Sequence, residues 1–324
     1  MDLNVAVQPV PGWRTPLRRI EWVLDRSSAA SSTTGSFLRL VLGVLFVAYG
    51  LLLLGVELAH DDLSPLPVFF LLFSISMFTN RLGSFGRYFL PVFLGLAAYG
   101  LAGSYATRLR LHVHYLLQID VERHLAVGGE LPSVWLQQHL YHGRTGPLEL
   151  LAVVAYAGHF LVPFAVGAVL LLLRRTDVFT VLMFSILIAA VAAMVIFVVV
   201  PTAPPWLAAE NGYIHGVHHI LKQALYDVHM SSLAAAEGDA SKYDITAALP
   251  SLHTTFPLLC LLAARRARLP RPALVVLALN FLAVVFSIVY TGEHYVVDVL
   301  AGAVLAVVSW RLVIKLESMR VGRS

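Results

Sequence analysis

Long apolar runs separated by short polar turns make up most of the chain. A bilayer crossing needs about 20 mostly apolar residues, and runs of that kind fall at about 37–58, 66–78, 88–106, 148–173, 178–200, 250–264, 273–290 and 294–314. This pattern predicts an all-α fold, a polytopic transmembrane helix bundle of about eight spans, the second of them short. Residues 108–147 mix charge with Leu, Tyr and Trp around Gly128 and Gly129. That stretch is too polar to cross and too apolar to float free, which suits interfacial amphipathic helices. In the long loop at 201–249, Ile214, Val217, Leu221, Leu225 and Val228 recur at helical spacing. Beside them runs a second stripe of His215, His219, Lys222, Tyr226 and His229. An interfacial helix with a solvated polar face accounts for the pair of stripes; as a functional element, the second would be an electropositive lid. Pro201-Thr-Ala-Pro-Pro-Trp206, at the start of this loop, must leave helix because Pro204 and Pro205 lack donors. It ends a span with Trp206 at the aromatic belt, and the same stiff elbow can rim a head-group pocket.

Composition agrees with the pattern. The chain is 58% hydrophobic and 13% charged, with mean hydropathy +0.78, values of a membrane protein rather than a soluble domain. The run at 37–58 is too long for a signal-peptide core and reads as a retained first span. One cysteine, Cys260, lies inside an apolar run, where an inert buried thiol is expected and no disulfide framework is possible. The pI near 9.3 does not call for nucleic acid, because the basic residues cluster between apolar runs. With eight spans, 17 of the 23 Lys and Arg fall on the side of the termini and 6 on the other. The positive-inside rule then makes both termini cytoplasmic, in the plasma (inner) membrane of the cell.

Candidate chemistry lies at the openings of two apolar runs. In Ser287-Ile-Val-Tyr-Thr-Gly-Glu-His-Tyr-Val-Val-Asp298, His294 and Asp298 are four residues apart, so on a helix they share a face. A carboxylate there takes the N–H of one ring nitrogen and leaves the other bare, which makes a nucleophile or base of fixed tautomer. The alternative is a structural pair capping a membrane helix. Upstream, Pro250-Ser-Leu-His253 opens another run. Pro suits a first helical turn, and the free N–H groups after it, with the Ser251 hydroxyl, offer an anion site. Two histidines at two span entrances, one backed by Asp298, suit phosphoryl transfer: one attacks phosphorus and the other protonates the leaving oxygen. Both would open on the extracytoplasmic face. His159, deep in the fourth run, is either a functional group or a hydrogen-bonding link between helices. His215, His218 and His219 suggest zinc, but neither a Cys nor a second His pair stands at ligand spacing.

These blocks resemble the type 2 phosphatidic acid phosphatase superfamily, whose pattern reads K-x6-R-P, P-S-G-H and S-R-x5-H-x3-D. Pro250-Ser-Leu-His253 matches the second block with Leu252 for Gly. Ser287, His294 and Asp298 match the third with Ile288 for Arg, and Pro201-Thr-Ala-Pro-Pro-Trp206 stands in place of the first. The departures, with Leu131-Pro-Ser-Val-Trp-Leu-Gln137 and Tyr156-Ala-Gly-His-Phe-Leu-Val-Pro163, resemble the branch containing inositol phosphorylceramide synthase. The resemblance covers about 110–305. It implies a six-helix lipid-phosphatase-like core over 86–316, after a cytoplasmic segment 1–36 and two accessory spans in 37–85, and before a cytoplasmic tail 317–324. It further implies a lipid-phosphate phosphotransferase, inositolphosphotransferase-like, working through a phosphohistidine. His294 would be the nucleophile, Asp298 its partner, and His253 the general acid and then base. Ser251, Trp206, Gly292, Lys222 and His159 are the candidate phosphate- or substrate-binding positions. The substrate would be a phospholipid or polyprenyl-phosphate-type lipid, with no metal or organic cofactor. A phosphatase using water is the nearest alternative, and a non-catalytic transporter or lipid-binding scaffold the next. A transporter would show repeats or broken midplane helices, whereas the ionisable pairs here sit at span ends.

Overall fold

A computed structural model describes residues 113–125, 129–230, 234 and 247–321, together with 41, 44, 45, 47, 48 and 51. The chain divides into two compact units, Met1–Ala59 with Leu63–Leu90, and His60–Asp62 with Pro91–Ser324. The expected spans at 66–78 and 88–106 lie outside the described residues, as does nearly all of that at 37–58. The elements of the second unit are α1 (Leu116–Leu125), α2 (Pro132–Leu140), α3 (Pro147–Leu172), α4 (Thr176–Val199), α5 (Pro205–Glu210), α6 (Ile220–Asp227), α7 (Leu252–Arg266), α8 (Arg271–Tyr290) and α9 (Val296–Val321). Among the described residues the only extended pairing is two isolated bridges, from Thr202 to His114 and to Ala247.

Three of these helices are long and apolar enough to cross a membrane: Thr176–Val199, Arg271–Tyr290 and Val296–Met319. A fourth candidate is α3, whose halves Pro147–His159 and Leu161–Leu172 meet at 51°. Pro163 lies just past that bend, and it lacks the N–H that would bond the carbonyl of His159. Five of the eight expected spans fall on described residues, and three or four helices there are long and apolar enough to cross. The expected span at 250–264 is only the 15-residue α7. At 1.5 Å per residue it is about 22 Å long, short of a hydrocarbon core of about 30 Å. It tolerates Thr and His because protein, not lipid, surrounds it: α7 packs on α3, α4, α8 and α9, burying Thr254, Thr255, Leu259, Cys260, Ala263 and Ala264. The outer helices turn apolar stripes outward, such as Leu300, Val304, Val308 and Leu312 on α9. That inverted pattern is what a lipid solvent requires, and this is a membrane-type helix bundle.

The bundle has two differently built ends. At one, the tight turn after α3 and the turn between α7 and α8 carry Arg174, Arg175, Arg265, Arg266, Arg268 and Arg271. There Arg175 Nη1 donates to the Ala267 carbonyl (2.8 Å), and Arg266 pairs with Glu317 (2.8 Å). At the other end lie α1, α2, α5, α6 and the first turns of α7 and α9.

The two first turns touch backbone to backbone. The Ser251 N–H donates to the Asp298 carbonyl (3.1 Å). The Thr255 hydroxyl lies 2.8 Å from the Ser251 carbonyl and 2.9 Å from that of Gly302. A Cβ at 302 would fall 2.3 Å from the Ser251 carbonyl oxygen. Because the obstacle is backbone, Gly302→Ala must push α9 off α7, at a cost of about 1–3 kcal/mol. Gly158→Ala, with nothing within 4 Å of the new methyl, is the matched control and should not destabilise. Thermal unfolding of the two detergent-solubilised variants tests this, and equal midpoints would contradict the tight crossing.

Candidate active site

The hinge between α8 and α9 is built from backbone geometry first. α8 ends in a Schellman arrangement: Gly292 N–H bonds the Val289 carbonyl (3.3 Å) and Glu293 N–H the Ile288 carbonyl (2.9 Å). Gly292 has φ +81°, and a Cβ there would meet Val217 Cγ1 at 3.0 Å. Its role is thus conformational, and its carbonyl takes the Trp206 N–H (3.0 Å). The His294 N–H also bonds the Ile288 carbonyl (2.9 Å), which pins the residue before the next helix starts.

The expectation that His294 and Asp298 share a helix face is corrected here. α9 begins at Val296, so His294 precedes it. Asp298 reaches back from the third helical position, where its Oδ2 accepts the Tyr295 N–H (2.9 Å), as in half of a capping box. That same oxygen lies 3.5 Å from His294 Nδ1. Asp298 is fully buried. The pair meets through a folded-back chain rather than through a helical repeat.

His253 stands on the first turn of α7, with its Nδ1 3.1 Å from His294 Nε2. Its ring stacks on Tyr156 at 4.5 Å and lies 3.9 Å from that of His159. His159 is buried, with Nδ1 against the Tyr156 carbonyl. The structure therefore brings His159, His253, His294 and Asp298 together. Ser251, expected to open an anion site, is the N-cap of α7: its Oγ accepts the Thr254 N–H (3.3 Å), and the residue is fully buried. Ile288, in place of the pattern's Arg, is buried among Val284, Val289 and Val299. Ser287 donates to the Ala152 carbonyl (2.7 Å) and ties α8 to α3.

The stripe of His215, His219, Lys222, Tyr226 and His229 is corrected as well. Only Ile220–Asp227 is helical, so His215 and His219 precede the helix and His229 follows it at φ 63°. His219 turns inward instead, its ring stacked on Trp206 (4.1 Å, 8°), with Nε2 3.1 Å from Glu293 Oε1. Glu293 Oε2 accepts from Trp206 Nε1 (3.2 Å). Trp206 is buried in this clamp rather than set in a lipid belt. Lys222 is half-buried on α6. Gln137 completes the fastening: its Nε2 donates to the Tyr290 (2.8 Å) and His218 (3.0 Å) carbonyls, and its Oε1 accepts the His218 N–H (2.7 Å).

Sequence reasoning missed Glu293 as a clamp, and it missed Gln118 and Glu122. α1 is inside out: Leu116, Leu117 and Val121 are 49%, 43% and 41% exposed, while Gln118 and Glu122 are 1% and 3%. Polar residues at i and i+4 on the face that also carries Ile119 were the available signal. Glu122 Oε1 accepts the Val296 and Val297 N–H groups, free donors at the start of α9. Burial pushes the Glu122 carboxyl up to about 7, with the Asp298 charge adding to the rise and the two backbone donors opposing it. A raised folded value means that Glu122 takes up a proton on folding between about pH 4.5 and 7. Its contribution to stability is full below that range and is lost as pH rises through about 7. Glu122→Gln should remove this part of the slope, seen as a smaller drop in unfolding temperature between pH 5 and 8.

Comparison with curated proteins and with solved structures returns no match. A family model described as the PAP2 superfamily matches residues 117–312. That stretch runs from α1 to near the end of α9 and holds the whole histidine cluster. Its members suggest lipid phosphatase or phosphotransferase chemistry on phosphate esters. Matched over more than half its length, the chain belongs to the PAP2 superfamily.

Proposed function

We propose that this protein is an integral membrane lipid-phosphate phosphotransferase, inositolphosphotransferase-like, with His294 as nucleophile. The observation that carries the reading is the line Asp298 Oδ2, His294, His253. One ring nitrogen of His294 faces a buried carboxylate at 3.5 Å, and the other faces His253 at 3.1 Å. With Nδ1–H turned toward the Asp298 carboxylate, Nε2 keeps its lone pair. In-line displacement sets the attacking nitrogen and the leaving oxygen on opposite sides of phosphorus. The two rings must therefore part for the phosphoryl group to enter between them. Nε2 then forms the N–P bond, and the P–O bond breaks with its electron pair going to oxygen. His253, as imidazolium, gives that oxygen its Nδ1 proton and is left neutral. In the second half the bare His253 nitrogen takes the proton of an acceptor hydroxyl, whose oxygen attacks phosphorus and returns the electron pair to His294.

Transfer to an alcohol rather than hydrolysis rests on the resemblance of the sequence blocks to the inositol phosphorylceramide synthase branch; the reacting pair itself is shielded, His294 being 5% exposed and Asp298 not at all. The first turn of α7, capped by Ser251, adds a positive dipole end beside the rings. His159 supports His253 by ring contact, whereas Trp206 and Gly292 shape the rim through the Glu293 clamp. The arginine-rich end of the bundle is cytoplasmic by the positive-inside rule, which turns the histidine end outward from the plasma membrane.

His294→Ala should abolish turnover of every substrate, because no covalent intermediate forms. His253→Ala should lose at least about 100-fold on a lipid phosphate, whose alkoxide needs a proton, and much less on p-nitrophenyl phosphate. Equal losses on both substrates, or acid-quenched phosphoenzyme surviving in His294→Ala, would reverse the assignment. Product analysis with and without added alcohols separates transfer from hydrolysis. For orientation, in a Cys260→Ala background, Glu210→Cys should react with an impermeant thiol reagent on whole cells and Pro270→Cys should not. The opposite labelling pattern would invert the topology.

A further inference from the structure

We infer that α1 is a positioning bracket for the histidine pair, in which Gln118 holds Asp298 and Glu122 holds the first turn of α9. The inference rests on the reading of His294 as nucleophile and names residues outside every motif that led to it. Gln118 presents its amide NH₂ to Asp298 Oδ1 at 3.5 Å; the carbonyl end would face a carboxylate and be repelled. This is the oxygen that His294 and Tyr295 leave open, since both use Oδ2. One helical turn later, Glu122 Oε1 takes the Val296 and Val297 N–H groups. Together these contacts fix the position and the rotation of the carboxylate against His294. α1 is itself anchored by Ile119, packed on Leu131, Ala208, Ile214, Val217 and Tyr295.

A bracket built only for stability would satisfy its own atoms. Here Gln118 Oε1, Glu122 Oε2 and the Tyr295 hydroxyl are buried without a hydrogen-bond partner. A buried polar group without a partner opposes folding, so an apolar α1 face would hold α9 more cheaply. Polar groups retained at that cost next to the His294–Asp298 pair are the mark of a device that sets the pair's chemistry. Gln118 and Glu122 touch no reacting atom. They act through Asp298 and are positioning residues.

The test uses the full-length protein in lipid nanodiscs and reads the nucleophilicity of His294 directly. Diethyl pyrocarbonate modification of His294 is followed by peptide mass spectrometry, with exposed His215 in the same chain as the internal standard. Gln118→Met keeps the side-chain length and removes the donor. It should slow the His294 reaction relative to His215 by roughly tenfold, the fold-change of a lost hydrogen bond to a charged group. Glu122→Leu should slow it too, while Glu122→Gln, which keeps an acceptor for the α9 amides, should restore most of the rate. A purely structural role would lower the unfolding temperature and leave the ratio unchanged, and an unchanged ratio in Gln118→Met overturns the inference. p-Nitrophenyl phosphate turnover separates the two claims. If His294→Ala is inactive while Gln118→Met reacts and turns over like wild type, the bracket fails and the nucleophile stands. If His294→Ala turns over normally, the nucleophile assignment fails instead, whatever the modification ratio shows for α1.

Discussion

The backbone contact between the first turn of α7 and the first two turns of α9 is the constraint on which the histidine cluster depends. His253 belongs to one helix start and the His294–Asp298 pair to the other. Their 3.1 Å approach exists because nothing larger than hydrogen stands at 302, where a Cβ would run into the Ser251 carbonyl. The Ser251 N–H to Asp298 carbonyl bond and the shared Thr255 hydroxyl lock that crossing with main-chain atoms. Main-chain atoms have little freedom to drift, so side chains projecting from the crossing inherit its precision.

A second layer holds the hinge that delivers His294. Gly292 turns the chain out of α8, Trp206 and Glu293 fasten the proline elbow to it, and Gln137 ties α2 to the α8 terminus. These contacts are polar and almost wholly buried, and they gather at the end of the bundle away from the arginine-rich turns. In a helical membrane protein buried polar groups are expensive, and their concentration at one end sets that end apart from the lipid-facing scaffold. α7 fits the same division. Too short to span by itself, it is enclosed by four helices and can carry His253 without exposing it to lipid.

Cys260 shows the opposite case. It is a thiol in the middle of α7 packing, fully buried, and it serves only as volume. Ile288 is similar: where the resembled pattern has a charged side chain, this chain places an apolar one against Val284 and Val299. The polar groups gathered around His294 are imidazoles, the Asp298 carboxylate and the Tyr295 N–H.

How much of this was legible beforehand follows from the range of each interaction. Bilayer-length apolar runs report a local property, the absence of polar side chains over about 20 residues. The helices α3, α4, α8 and α9 were therefore readable from sequence, and so were the histidine blocks, whose spacing is local too. What stayed hidden depends on partners distant in the chain. The helical spacing of His294 and Asp298 suggested one shared face, yet the helix starts between them, because Gly292 ends α8 and Asp298 caps Tyr295 instead. The His215 to His229 stripe looked continuous, but the pull of Glu293 on His219 is a contact over 74 positions that no periodicity encodes. Gln118 and Glu122 read as the polar face of a surface helix. Only the packing of α1 over the start of α9 reveals that the polar face points in. The sequence by itself determined the solvent of the fold and the residues able to do chemistry. The tertiary structure decided which of them meet, since that is settled by helix crossings and chain reversals rather than by neighbours along the chain.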